Sequence, residues 1–213
     1  YVSQRAADLL GRPIEELRIA TCHLGNGAST CSVKFGKSID TSMGFTPQDG
    51  LPMGTRAGAI DAAIVDYIVE QRGNSTKRVE SALNKESGVL GISGISSDFR
   101  DLEAAAAEGN ERAQLAIDVF CYKVTKRIGS CAAAMGGLDA VVFTAGVGEN
   151  DKGIRAMVCD GLEYMGVKLD PAANDVRGKE TVISSADSKV KVLLIPTDEE
   201  LMIAMDTAAI VKG

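Results

Sequence analysis

Two glycine-containing segments of the chain could hold phosphate. The first is His23-Leu24-Gly25-Asn26-Gly27-Ala28-Ser29. Small residues let backbone N–H groups converge on anionic oxygens with no Cβ in the way. Asn-Gly is also an ordinary hairpin turn, and one segment can be both. The second is Gly146-Val147-Gly148-Glu149-Asn150, expected as a turn where an apolar run hands over to a helical pattern. There, free N–H groups and the positive end of a helix dipole face a ligand. Arg56 lies in Met53-Gly54-Thr55-Arg56-Ala57-Gly58, whose glycines and apolar neighbours suit an inward-pointing anion clamp. Glu199 and Glu200 open the last helical pattern. Acidic residues in a first turn complement the helix dipole, and at a strand end one could also hold Mg²⁺, directly or through water.

Other chemistries lack their residues. Asp151 stands where a dinucleotide fingerprint beginning at Gly146 needs its third glycine. Gly36-Lys37-Ser38 has Cys31 where a Walker A loop needs its leading glycine. His23 is the single histidine and has no Gly-x-Ser-x-Gly elbow to serve, so a packed or hydrogen-bonding role is expected. The five cysteines (22, 31, 121, 131 and 159) form no C-x-x-C pair, and a His-rich zinc site is excluded. Reduced thiols in a cytoplasmic protein are expected.

The elements that must position these residues follow from periodicity. Tyr1 to Leu10 reads as a helix stopped by Gly11-Arg12-Pro13. Leu17 to Cys22, Ser29 to Phe35 and Ser38 to Asp40 read as consecutive antiparallel strands, the first two joined by an Asn-Gly turn of positive φ. Thr41 to Gly58 is a loop too long for a mere connector. Helices are expected over Ala59 to Gln71, Ser75 to Lys85, from a Ser97-Asp98 cap toward Ala107, and over Asn110 to Met135. Strands over Leu138 to Thr144 and Val190 to Ile195 each precede a helix, Asp151 to Met165 and Thr197 to Val211. Three antiparallel strands, helices, then strand–helix–strand–helix is the order of an α/β, ribonuclease-H-like domain, the unit of the actin and sugar-kinase ATPases, with a mixed sheet and flanking helices.

The length of 213 residues suits one large domain or two small ones. With 23 Lys+Arg against 29 Asp+Glu, the net charge of −6 argues against a general nucleic-acid binder or a protein adsorbed to anionic lipid. Aromatics make up 4% with no Trp, so a stacking platform for single strands is not expected. The apolar stretches near Val141 and Ile203 are interrupted by Gly or Asp, so no membrane span is expected. Tyr1 begins a polar, helix-like stretch rather than a signal peptide, and the chain does not start with Met.

Taken together, six motifs in order resemble the acetate kinase (acetokinase) family. They are His23 to Ser29, Asp40-Thr-Ser-Met-Gly44, Met53-Gly-Thr-Arg56, Gly91-Ile-Ser-Gly-Ile-Ser-Ser-Asp98, Phe143-Thr-Ala-Gly-Val-Gly-Glu-Asn150 and Ile195-Pro-Thr-Asp-Glu-Glu200. The resemblance runs from Tyr1 to about Val211. It implies reversible phosphoryl transfer between ATP and acetate, giving acetyl phosphate and ADP, with Mg²⁺ or Mn²⁺, in a cytoplasmic homodimer of two-domain subunits. By the same resemblance, His23, Leu24, Gly25, Asn26 and Gly27 bind phosphate. Asp98, Phe99 and Arg100, together with Gly146, Val147, Gly148, Glu149 and Asn150, hold the adenosine part. Arg56 stabilises the transition state and Glu199 holds the metal.

The sequence departs from the family pattern at Ala57 and Ala59, where Ser and Asp are usual, at Ala145 for Gly, and at Asp198 for Asn. The family's amino-terminal domain has no counterpart, so residues 1–16 are expected to be a helix left from it. Residues 17–213 are then the carboxy-terminal nucleotide-binding and dimerisation domain, inactive alone. A propionate kinase of the same family and a non-catalytic actin-like nucleotide-binding module are the competing readings.

Overall fold

A computed structural model describes residues 1–73 and 75–212; Gly213, the last residue of the expected domain, lies outside them. A six-stranded sheet of order β3-β2-β1-β4-β6-β5 organises the chain. Its strands are β1 (Arg18–Leu24), β2 (Ala28–Lys34), β3 (Lys37–Thr41), β4 (Ala140–Thr144), β5 (Thr181–Val182) and β6 (Lys191–Leu194). The first three form the expected antiparallel meander, while β1, β4 and β6 run parallel. The carboxyl ends of those three parallel strands therefore open on one edge, where α/β sheets bind ligands.

β4 is buried at every position, as a central parallel strand must be. Alternation divides its side chains between two cores. Val141 and Phe143 join Cys22, Leu24, Val192 and Leu194 on one face. That face is covered by α5 (Phe99–Ala107), α6 (Glu111–Met135) and α8 (Lys152–Asp160). Ala140 and Val142 join Ile19 and Leu193 on the other, against Ala6 and Ala7 of α1 (Val2–Leu10). α6 buries Ala113, Ile117, Phe120, Val124, Ile128, Ala132 and Met135 at steps of three or four, and Asn110 caps it by accepting from Ala113 N. All five cysteines are free thiols.

Several expectations are corrected. The turn between β1 and β2 contains no positive φ: neither Gly25, Asn26 nor Gly27 is left-handed. Gly25 N donates to Gly27 O at 3.0 Å, and a Cβ on Gly25 would lie 3.3 Å from that oxygen, so close approach rather than φ restricts the position. Gly146 to Asn150 is not a turn but most of the short helix α7 (Ala145–Asn150). Glu149 and Asn150 side chains reach back one turn to Ala145 N and Gly146 O and hold it closed. The helix expected from Asp151 to Met165 ends at Asp160 with Gly161 as its C-cap, a position where a Cβ would lie 2.6 Å from Thr125 Cγ2.

α2 (Ala63–Arg72) starts four residues late and α3 spans Thr76–Lys85. The short helices α4 (Gly88–Ser93) and α9 (Pro171–Asn174) and the strand β5 were not foreseen, being too short for periodicity to register. α10 (Glu199–Lys212) follows β6, and Asp198 Oδ1 accepts from Leu201 N as its cap. No described residue of α2 or α10 is buried, and Tyr67, Ile203, Met205 and Ile210 stand exposed. No described helix is long and apolar enough to cross a membrane.

Candidate functional site

A cleft of about 830 Å³ opens at the carboxyl edge of the sheet. Gly25 and Asn26 form one wall, Ser97 through Arg100 a second, and Gly146, Val147 and Asn150 a third. These segments are 70 and 45 or more residues apart in sequence, and the first and third meet because β1 and β4 are adjacent parallel strands. A Cβ on Gly25 would sit 3.6 Å from the Ala145 methyl and 3.9 Å from Gly146 N, so the two glycine segments touch.

Not every expected residue faces this cleft with its side chain. Leu24 and Gly148 are buried beneath it, and Leu24 belongs to the core. His23 is half-buried on β1, between Ser29 and Thr144 of the neighbouring strands. Phe99 lines the cleft, yet its ring packs edge-on against Phe120 at 4.6 Å. Asp98 caps α5 through Arg100 N and also grips the Arg100 guanidinium, which holds its carboxyl at about 2. Glu149 does not line the cleft. Its Oε1 accepts from Ala145 N at 2.8 Å, Thr197 N at 3.0 Å and Thr197 Oγ1 at 3.2 Å.

Arg56 lies on the far side of the glycine turn. Gly54 N donates to Asn26 O at 3.1 Å, which docks the long loop onto the turn, and a Cβ on Gly27 would stand 3.6 Å from Arg56 Nη1. The Arg56 hydrogen bonds go to Pro47 O and Met53 Sδ, with no carboxylate among them. Among the described residues no carboxylate pairs with this half-buried guanidinium, which suits an anion at the turn. Glu199 is exposed at the first position of α10, on the edge where β6 ends.

Among the described residues no group of three or more His, Cys, Asp or Glu is arranged to hold a metal. One carboxylate still fits Mg²⁺, which takes its other oxygens from substrate phosphates and water.

Four further features of the cleft escaped sequence reasoning. Glu103, Asp151 and Arg177 line it. Desolvation, then the charge of Asp151 and a hydrogen bond to it, push the Glu103 carboxyl up to about 7, against a weaker lowering by Arg177. Asp151 Oδ1 caps α8 by accepting from Ile154 N, a signal present in the sequence as Asp at the head of a helical pattern. Beneath α7, fully buried Arg155 donates to Gly148 O, Asn174 O, Asn174 Oδ1 and Val176 O.

Known proteins share this arrangement. A sequence profile described as the Acetokinase family matches residues 1–205. The acetate kinase of Thermoanaerobacterium thermosaccharolyticum is 62% identical over 214 aligned positions, covering 100% of this chain and 54% of that protein. The crystal structure of Porphyromonas gingivalis acetate kinase superposes with a TM-score of 0.97 at 49% identity, over 99% of this chain and 53% of that one. A propionate kinase from Francisella tularensis superposes at 0.88 and 44% identity, over 96% of this chain and 52% of that one. The chain thus spans about half the length of the relatives it matches. On both sequence and structure, it belongs to the acetokinase family.

Proposed function

We propose that this chain supplies the nucleotide-binding half of an acetate kinase, which moves a phosphoryl group reversibly between ATP and acetate. The observation that carries the reading is the meeting of three distant segments, at Gly25, Asp98 and Gly146, around one cleft at the carboxyl edge of the sheet. The relatives at about 62% identity are acetate kinases, which favours acetate over propionate as acceptor.

The chemistry assigned to each residue follows from its place. An acetate oxygen attacks the γ-phosphorus of ATP as the bond to the β-phosphate oxygen breaks, and ADP leaves with that electron pair. Such a transfer needs positioning and neutralisation of charge on the equatorial oxygens. N–H groups of Asn26 and Gly27, in the turn that Gly25 N closes onto Gly27 O, with His23 and Leu24 behind it, hold the phosphates. Asp98 to Arg100 and, from the second glycine segment, Gly146, Val147 and Asn150 hold the adenosine part, with Gly148 and Glu149 supporting them from behind. Arg56, beside Gly27, is the cation for the transferring group. Glu199 would hold Mg²⁺, which when bound neutralises phosphate charge. The reading includes a cytoplasmic homodimer and a division at residues 16 and 17. The exposed apolar residues of α2 and α10 support a partner surface.

The test is direct. This chain should bind ADP or ATP in calorimetry yet form no acyl phosphate in a hydroxamate assay; joined to the remainder of a two-domain enzyme, it should do so with acetate. Failure to bind either nucleotide overturns the reading, and a preference for propionate in the complete enzyme replaces its substrate.

A further inference from the structure

The carboxylate of Glu149 sits where two loops leave the sheet. Thr144 ends β4, and Thr197 lies three residues beyond the end of β6. Their hydroxyls meet at 2.8 Å. Glu149 Oε1 closes the group by accepting from Ala145 N, Thr197 N and Thr197 Oγ1. One oxygen thus gathers the start of the α7 glycine segment and the start of the loop that carries Glu199. Only Asp198 lies between Thr197 and Glu199, and it caps α10. Fixing Thr197 N therefore fixes where that helix starts.

We infer that Glu149 is a positioning residue: it ties the Thr197–Glu199 segment to the glycine helix and so sets the Glu199 carboxylate at the distance from bound phosphate that Mg²⁺ requires. This rests on the metal role proposed for Glu199. It assigns Glu149 no contact with nucleotide. Groups that orient a metal ligand from behind commonly change metal affinity by about 10–100-fold when removed. Reach, not charge, is what the geometry demands, since a single acceptor oxygen at the end of a three-atom arm makes all three bonds.

The test measures ADP affinity of the chain by calorimetry across a Mg²⁺ titration, with adenosine as a metal-independent probe. Glu149→Ala and Glu149→Asp should each raise the Mg²⁺ needed for half of its effect by roughly tenfold or more. Glu149→Gln keeps the acceptor oxygen and the reach, and should stay near the wild type. Adenosine affinity should be unchanged in all three. Glu149→Asp keeps the charge and serves as the decisive variant where Glu149→Ala fails to fold.

A normal Mg²⁺ response in Glu149→Asp with a lost one in Glu149→Gln would show that charge acts, and overturns the inference. A fall in adenosine affinity would show that Glu149 serves the adenosine walls rather than the metal site, and does the same. Glu199→Gln separates the two levels: it should abolish the Mg²⁺ response, and Glu200→Gln, about 100° around the helix, should not. If Glu199→Gln abolishes it while every Glu149 variant keeps it, the inference alone fails. If Glu199→Gln leaves it intact, the metal reading fails and takes the inference with it.

Discussion

Arg155 Nε–H donates to Asn174 Oδ1 at 2.7 Å inside the protein, with the arginine wholly out of solvent and no carboxylate among its hydrogen-bond partners. Its other nitrogens satisfy the carbonyls of Gly148, Asn174 and Val176. Desolvation lowers its pKa, against opposing attraction from Asp151. A buried guanidinium held by carbonyl dipoles is a tie between α7, α8 and α9 rather than a ligand group.

Arg155→Met should therefore be severely destabilising. The substitution leaves three buried acceptors and one part-buried one short of a donor, at a cost of roughly 3–5 kcal/mol. Urea unfolding followed by circular dichroism should show a lower midpoint with an unchanged slope. A midpoint within error of wild type would mean that water or neighbouring side chains replace the tie.

Ala145 adopts φ +65°, a left-handed conformation in which its Cβ crowds the carbonyl oxygen. Relief of that crowding in Ala145→Gly should raise stability by about 1 kcal/mol, even after the extra freedom of an unfolded glycine. The melting temperature should rise by about 2–4 °C for a chain of this size. ADP affinity should not fall, because the Ala145 methyl makes no bond that glycine loses.

Stability should depend on pH through Glu103, whose carboxyl is raised from 4.5 to about 7 chiefly by desolvation and then by Asp151. Between those values the folded chain holds a proton that the unfolded chain has released, so unfolding loses protons and stability falls as pH rises. This contribution is complete below about pH 4.5 and gone above about pH 7. Glu103→Gln cannot ionise and should flatten the slope, crossing above the wild type near neutrality. Denaturation midpoints at half-unit intervals of pH would decide it; parallel profiles for the two proteins would refute the assignment.

Arg56→Ala, in the complete two-domain enzyme, should lower kcat far more than it raises KM for ATP. A guanidinium acting on the transferring phosphoryl group is commonly worth about 10³-fold or more in rate. Steady-state kinetics separate this from ground-state binding, which would raise KM and leave kcat unchanged.

Local chemistry made much of this protein legible. Alternation in Ser29 to Phe35, the three-and-four spacing from Ala113 to Met135, and capping residues Ser75, Asp98 and Asn110 each act within one element, so their physics is present in the sequence. The six motifs named the family before any contact was known. What the sequence alone left undecided is every relation that depends on which strands are neighbours. Parallel pairing of β1 with β4 and β4 with β6 brings Gly25 beside Ala145, and Glu149 beside Thr197. Those pairings divide the motif residues into cleft walls, such as Gly25 and Asn150, and supports, such as Leu24, Gly148 and Glu149. The same cause hid Arg155 and Glu103, whose ordinary sequence surroundings give no sign of burial or of Asp151 nearby. Burial and charge proximity are properties of the packed sheet and helices, so only the tertiary structure fixes them.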